Sequence, residues 1–257
     1  MKRILWKIGA GVIVLLIIAI LAVSFFLDGA VKRAVETIGP RLTKTDIKLD
    51  AVNLSLLSGS GRIKGLIVGN PEGFKTPHAM SVQTASLSLK PGSLLSDKIV
   101  VRSIVLEGPE ITFEAGLGGN NLGKLRANAE ESGGSAAAQP APSGNKPAGN
   151  KPGKKLEVDE FLITGAKLNV SVTGMRGQAV PVVLPPIHLS GLGTGPDGIT
   201  AAELTRQVLA AIEQAAAKEA GSALEGLGKG AGGLTKDLGN GAQGIGKSLG
   251  DLFKKKN

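Results

Sequence analysis

The string Gly241-Ala242-Gln243-Gly244-Ile245-Gly246-Lys247-Ser248 has the spacing of a phosphate-binding loop. In such a loop, backbone N–H groups cradle phosphates and the Lys neutralises them. That chemistry needs a strand to present the loop and a helix whose N-terminus receives the anion. Here only more glycine repeat precedes the string. The same repeat yields two Gly-x-Gly-x-x-Gly matches, Gly228/Gly230/Gly233 and Gly239/Gly241/Gly244, again with no strand before them. These matches are by-products of composition, and no nucleotide is expected as a ligand.

Other chemistry-bearing residues are equally isolated. His78 and His188 have no local partner set of the kind a zinc site needs. Asp46/Asp50 and Asp159/Glu160 have the proximity of acid–base pairs, but alternation sets Asp46 and Asp50 on an outward strand face with Lys48. Cysteine is absent, which removes disulfides, thiolate nucleophiles and thiolate metal sites. There is no Gly-x-Ser-x-Gly elbow. No catalytic residue, metal site or cofactor is assigned, and the chain is read as a non-enzyme.

The apolar run from Ile8 to Leu27 determines where the remaining elements must work. It follows Lys2, Arg3 and Lys7 and contains no charge. About 20 residues at roughly 1.5 Å each span the ~30 Å hydrocarbon core of a bilayer. Ala22-Val23-Ser24 offers a cleavage site, but the run continues through Phe25, Phe26 and Leu27, which favours an uncleaved anchor. With so short a basic N-terminal tail, the expected orientation is N-terminus in the cytoplasm and body outside. The net charge of +9 is peripheral: residues 28–115 and 156–199 carry +2 and −2, and the excess lies in the N-terminus, the 116–155 segment and the tail. Basic tails beside a membrane meet anionic headgroups. The stacking aromatics of a single-strand nucleic-acid module are missing, so no nucleic-acid partner is expected.

After the anchor, Asp28 to about Pro40 reads as a helix, and the apolar period then changes to two. Ile47 and Leu49 alternate with polar neighbours, then Val52, Leu54 and Leu56 do, with a phase slip at Ala51–Val52 that predicts a bulge or kink. Further strands are predicted at Arg62–Val68, Val82–Lys90, Lys98–Glu107 and Glu110–Ala115, with Asn70-Pro71-Glu72-Gly73 as a turn. Residues 116–155 lose apolar periodicity and read as a flexible low-complexity linker. Strands resume at Leu156–Thr164 and Lys167–Thr173, and a Pro-interrupted edge covers Val180–Leu192. Short connections favour antiparallel pairing throughout. Thr200 with Glu203 predicts a capping box for a helix to about Ala220. From Leu227 an eleven-residue repeat places Leu227, Leu234, Leu238, Ile245, Leu249 and Leu252 on one helical stripe, giving a conditional amphipathic tail.

The assembled pattern resembles small members of the bacterial AsmA-like family. The resemblance lies in the anchor plus helix, in LSLLSGSGRIKGLIVGNPEGF (54–74), in SLSLKPGSLLSDKIVVRSIVLEGPEITFE (86–114) and in LPPIHLSGLGTGPDGITAAELTRQVLAAI (184–212). It implies an inner-membrane anchor with a periplasmic body built on a curved sheet. Larger relatives are associated with outer-membrane biogenesis and with phospholipids carried along an apolar groove.

The expected fold is mainly β with flanking helices: an N-terminal transmembrane helix, a curved antiparallel sheet shaped as a groove or half-barrel, a C-terminal helix and a Gly-rich tail. The expected units are 1–27 (anchor), 28–115 (β body with leading helix), 116–155 (linker), 156–220 (β continuation plus helix) and 221–257 (tail). Roughly eight strands at about 4.8 Å each give a groove of about 40 Å, too short to bridge the periplasm alone. Leu49, Val52, Leu54, Ile63, Ile67, Leu87, Leu89, Val101, Val105, Leu168 and Val170 are the candidates to line that groove or to fill a closed core. The function expected is handling of lipid acyl chains in envelope biogenesis, with membrane lipids and an envelope protein as partners. The alternative is a membrane-anchored scaffold with a closed core and no lipid ligand.

Overall fold

The computed structural model describes residues 26–116, 118–135, 154–172 and 179–234. The anchor expectation falls almost wholly outside them. No helix among the described residues is long and apolar enough to cross a membrane. Among the described residues the chain builds one curled, half-barrel sheet and three helices. Helix α1 covers residues 26–43. Strands β1 (Ile47–Lys48), β2 (Ala51–Leu54), β3 (Ser60–Gly69) and β4 (His78–Leu89) follow, then a 3-10 turn at Pro91–Leu95. Next come β5 (Lys98–Glu107), β6 (Glu110–Gly116), β7 (Gly119–Asn120) and helix α2 (Asn121–Ser135). The order closes with β8 (Lys155–Thr164), β9 (Lys167–Val172), β10 (Val180–Val183), β11 (Ile187–Leu192) and helix α3 (Ala201–Leu234).

Apart from the short β7, the register joins these strands end to end into six long ones. β5 and β6 lie along the same edge of β4, with Leu106 opposite Ala85 and Glu110 opposite Ser81. β8 and β9 run beside β5 and β6 in unbroken parallel register, from Lys98 opposite Lys155 to Ala115 opposite Val172. β10 and β11 pair antiparallel with β9 and β8, and β1 and β2 both pair with β3. Six strands at about 4.8 Å give a sheet roughly 29 Å wide, narrower than the 40 Å expected, because neighbouring segments continue one another instead of adding width.

A crease crosses all six long strands at one level. In each, the inward apolar residues step by three instead of two: Leu49 to Val52, Ile63 to Leu66, Val82 to Ala85, Leu106 to Pro109, Ile163 to Ala166, and Leu184 to Ile187. An extra residue per strand bends the chain while keeping the same face inward. Gly65, Gly108 and Gly165 supply it with φ of 62, 59 and 61°, a left-handed conformation costly for any residue with a Cβ. The slip expected at Ala51–Val52 is the first member of this line. A second line of extra residues crosses at Arg102, Asp159 and Gly191 (φ 66°).

Three expectations are corrected. The sheet is mixed, because β5/β8 and β6/β9 are parallel, and a parallel return needs a long crossover. That crossover starts in the segment read as a linker: within 116–155 the structure places β7 and α2, whose Leu122, Leu125 and Ala129 are buried at 1% exposure each. Three small or medium apolar residues among Gly, Asn and charge make a weak local signal, and the helix is held by tertiary contacts. α3 also runs to Leu234, past the Ala220 expected, through the start of the glycine-rich repeat. The capping box is present: Glu203 Oε2 accepts from the Thr200 N–H (2.9 Å) and Thr200 Oγ1 accepts from the Glu203 N–H (3.1 Å). The Pro-interrupted segment Val180–Leu192 forms the outer strand of the sheet.

α2 and α3 pack together over the inward face of β6, β8, β10 and β11. Arg126 Nε donates to Glu213 Oε2 (2.7 Å) between them, and this bond raises the guanidinium pKa further. On the far flank, α1 lies along the outer edge of β1 and β2. Its Asp28, Lys32 and Glu36, at helical spacing of four, bond the edge backbone directly. Asp28 accepts from the Leu54 N–H (2.7 Å), Glu36 accepts from the Leu49 N–H (3.2 Å), and Lys32 donates to the carbonyls of Leu49 and Asp50. An exposed strand edge is a template for unwanted pairing, and these three side chains occupy it.

Candidate functional site

The inward face is a continuous aliphatic surface, and its cover is uneven. Across one row stand Val52, Ile63, Ala85, Leu106, Ile163 and Ile187. The next row holds Leu54, Leu87, Ile104, Phe161 and Leu189. In the half of the molecule roofed by α2 and α3, burial is complete: Ile111, Phe113, Leu168 and Val170 are 2% exposed or less. α2 and α3 lie mainly against β6, β7, β8, β10 and β11. Leu54, Ile63, Leu87 and Ile104, on β2–β5, accordingly remain half-buried, as does Leu189 on β11. The opposite face of the sheet is largely polar, with Arg62, Lys64, Ser86, Ser88, Ser103 and Glu160 among its residues.

The candidate residues divide between these environments. Leu49, Val52, Leu89, Val101, Leu168 and Val170 are buried on the inward face, and Leu54, Ile63 and Leu87 are half-buried there. Ile67 and Val105 belong to the other face. Ile67 stands opposite Ser81 and is 39% exposed, and Val105 stands opposite Ser86. Simple alternation from Ile63 and Val101 pointed inward at both. The extra residues at Gly65 and Arg102 shift the phase, so Leu66 and Ile104 take the inward places. Of the tail stripe, Leu227 and Leu234 fall on α3, while Leu238, Ile245, Leu249 and Leu252, with the phosphate-loop-like string, lie outside the described residues.

Sequence reasoning missed a buried polar cluster at the end of the sheet remote from the α1 start. The Glu114 carboxylate, 1% exposed, accepts from the N–H groups of Lys75 (2.9 Å) and Thr76 (2.8 Å) and from the Thr76 hydroxyl (2.7 Å). Asn121, fully buried at the start of α2, accepts from the Glu114 N–H (2.9 Å) and donates to Asn70 Oδ1 and the Thr112 carbonyl (2.8 Å each). Asn70 in turn donates to the Thr76 carbonyl (2.8 Å). The cluster clamps the 70–76 loop onto β6 and α2. A buried charge persists only when fully bonded, and no buried side-chain polar atom among the described residues lacks a partner. The visible signal was Glu114 in an apolar strand, and its partners are distant in sequence. Among the described residues, no group of three or more His, Cys, Asp or Glu side chains is placed to hold a metal ion.

Neither a curated protein nor a solved structure matches the chain significantly. A family profile does, over residues 1–174, covering the N-terminus, α1, the whole of β1–β6, α2 and β8–β9. Its family is associated with the membrane envelope and is not known for enzymatic activity. The one-faced curled sheet, its leading helix and this match over more than half of the length agree: the chain belongs to the AsmA family.

Proposed function

We propose that this chain is a non-enzymatic envelope protein that holds the acyl chains of membrane lipids on the uncovered part of its inward face, at the periplasmic surface of the inner membrane. The observation that carries this reading is the half-buried row Leu54, Leu87, Ile104 and Leu189 on an otherwise roofed aliphatic face. Soluble domains normally bury such a row, since each CH2 removed from water contributes about 0.8 kcal/mol. An acyl chain laid across it gains the same term without needing a polar partner. The sheet's ~29 Å width accommodates one leaflet's chain of about 15 Å, half of a bilayer core. The run Ile8–Leu27, read as a single-pass anchor, keeps the face beside its ligand.

The test is site-specific photocrosslinking in the full chain, within membranes. A benzophenone side chain at Leu87 or Ile104 is expected to yield lipid adducts, and one at Ser86 or Arg62 on the polar face is not. Equal yields at all four sites, or none, would refute acyl-chain binding and leave the scaffold reading, in which α2 and α3 close a core with no ligand.

A further inference from the structure

Two loops of this protein carry the same tetrapeptide, and the fold sets them side by side. Ser55-Leu56-Leu57-Ser58 joins β2 to β3, and Ser93-Leu94-Leu95-Ser96 belongs to the turn between β4 and β5. In each, the first leucine is half-buried and the second stands in solvent, Leu57 at 80% and Leu95 at 95% exposure. Neither is a slack loop. The Gly59 N–H bonds the Ser55 carbonyl (2.8 Å), and the Leu89 N–H bonds the Gly59 carbonyl (2.6 Å). Gly59, at φ 72°, sits so close to Leu89 and Pro91 that a Cβ there would meet the Leu89 carbonyl oxygen at 2.2 Å. On the second loop, buried Ser93 donates to the Lys90 carbonyl (2.7 Å) and accepts from the Val100 N–H (2.9 Å). Rigid turns thus hold two leucines outward where burial would be favoured.

Their position in the fold supplies the partner. Asp28 bonds Leu54, so the first turn of α1 lies at this same end of the sheet. Phe26, 76% exposed, is at the start of that turn, and the apolar run Ile8–Leu27 leads directly into it. Lys90 and Lys154 are exposed at this end, and Lys154 reaches the Leu94 carbonyl. Lys98 is paired with Glu157, and Asp97 and Asp197 are the exposed acids nearby.

We propose that this end of the sheet is a membrane-inserting rim, in which Leu57 and Leu95 enter the acyl region of the bilayer carrying the N-terminal run while Lys90 and Lys154 meet headgroup phosphates. The rim holds the row Leu54, Leu87 and Ile104 close to the bilayer, one step in from the buried Leu89 and Val101, so acyl chains are taken up from the membrane beside it. For that last step alone the inference rests on the function proposed above. Insertion of the rim is independent of whether the face holds a lipid.

The chain contains no cysteine, so single-cysteine variants label uniquely. The full chain carrying Leu57→Cys, Leu95→Cys or Glu72→Cys is nitroxide- or fluorophore-labelled and reconstituted in phosphatidylethanolamine–phosphatidylglycerol vesicles. Glu72 lies in the loop at the far end of β3, about 30 Å away along a ten-residue strand. Depth is read by quenching from lipids labelled along their chains. Labels at positions 57 and 95 are expected to be quenched several-fold more than the label at 72. If either leucine position is as aqueous as 72, the proposal is overturned. It is also overturned if protection of 57 and 95 appears only at high protein-to-lipid ratio without lipid quenching, which assigns the leucines to contact between copies. Quenching at 57 and 95 with no crosslinked lipid at Leu87 or Ile104 leaves the rim standing and removes acyl-chain binding.

Discussion

Replacing Asn121 by Ala tests whether the buried polar cluster holds the top of the sheet together. Asn121 is fully buried, and its amide makes three bonds: from the Glu114 N–H (2.9 Å), to Asn70 Oδ1 and to the Thr112 carbonyl (2.8 Å each). Truncation removes the Asn121 partner of one donor and two acceptors in a buried site. Each stranded group costs about 1–3 kcal/mol. With partial relaxation, or a water entering the vacated volume, the sum is roughly 3–5 kcal/mol, a large share of the ~5–15 kcal/mol by which domains are stable. A melting transition followed on the full chain is expected to fall by about 10 °C. The internal comparison is Asn128→Ala, which removes a single buried bond to the Thr43 carbonyl (2.7 Å) and is expected to cost about 1–2 kcal/mol. If Asn121→Ala destabilises no more than Asn128→Ala, the cluster is not the clamp described, and the reasoning from stranded polar groups fails.

The crease and the surface carboxylates give two further expectations. Gly108→Ala and Gly165→Ala meet open space apart from each other's backbone at 3.9–4.0 Å, so each is expected to cost about 1–2 kcal/mol from the left-handed backbone alone, and Asn at either position less. Gly65→Ala adds collision with the Asp50 side chain, at 1.9 Å from its carboxylate oxygen, and chemical denaturation should rank it the most damaging of the three. The Glu203 carboxyl is held below its usual range by hydrogen bonds from the Thr200 N–H and hydroxyl, and that of Glu131 by Lys44. A depressed folded pKa gives stability that is complete above the ordinary carboxylate value and fades as pH falls through the lowered one. Melting temperature is therefore expected to drop on acidification below about pH 4.5, and Glu203→Gln should flatten that drop.

Local pattern made much of this fold readable. Alternation placed most of the long strands and their inward side, the capping box at Thr200 and Glu203 needed only four consecutive residues, and the prolines at 181, 185 and 186 marked an outer strand. Each of these depends on residues within a few positions of one another. What failed depended on distance. Ile67 and Val105 were set on the wrong face because a single extra residue reverses alternation, and only cross-strand register reveals where it lies. Helix α2 reads as linker in the sequence because its stability comes from Arg126 meeting Glu213 and from Leu122 and Leu125 entering a core built elsewhere. The candidate face was partly readable: most of its residues were named, while Ile104 and Leu189, which complete the uncovered row, were not.

By itself the sequence determined an apolar N-terminal run of bilayer length and a one-faced aliphatic sheet. These follow from composition and period, which any pairing of the strands preserves. Tertiary structure decided that neighbouring segments fuse into six long strands, that two pairs run parallel, that a crease bends every strand at one level, and that two Ser-Leu-Leu-Ser turns meet at the end where the chain enters. Register, crossover and juxtaposition are properties of contacts between residues far apart in the chain. No local pattern encodes them until the hydrogen bonds between strands are made.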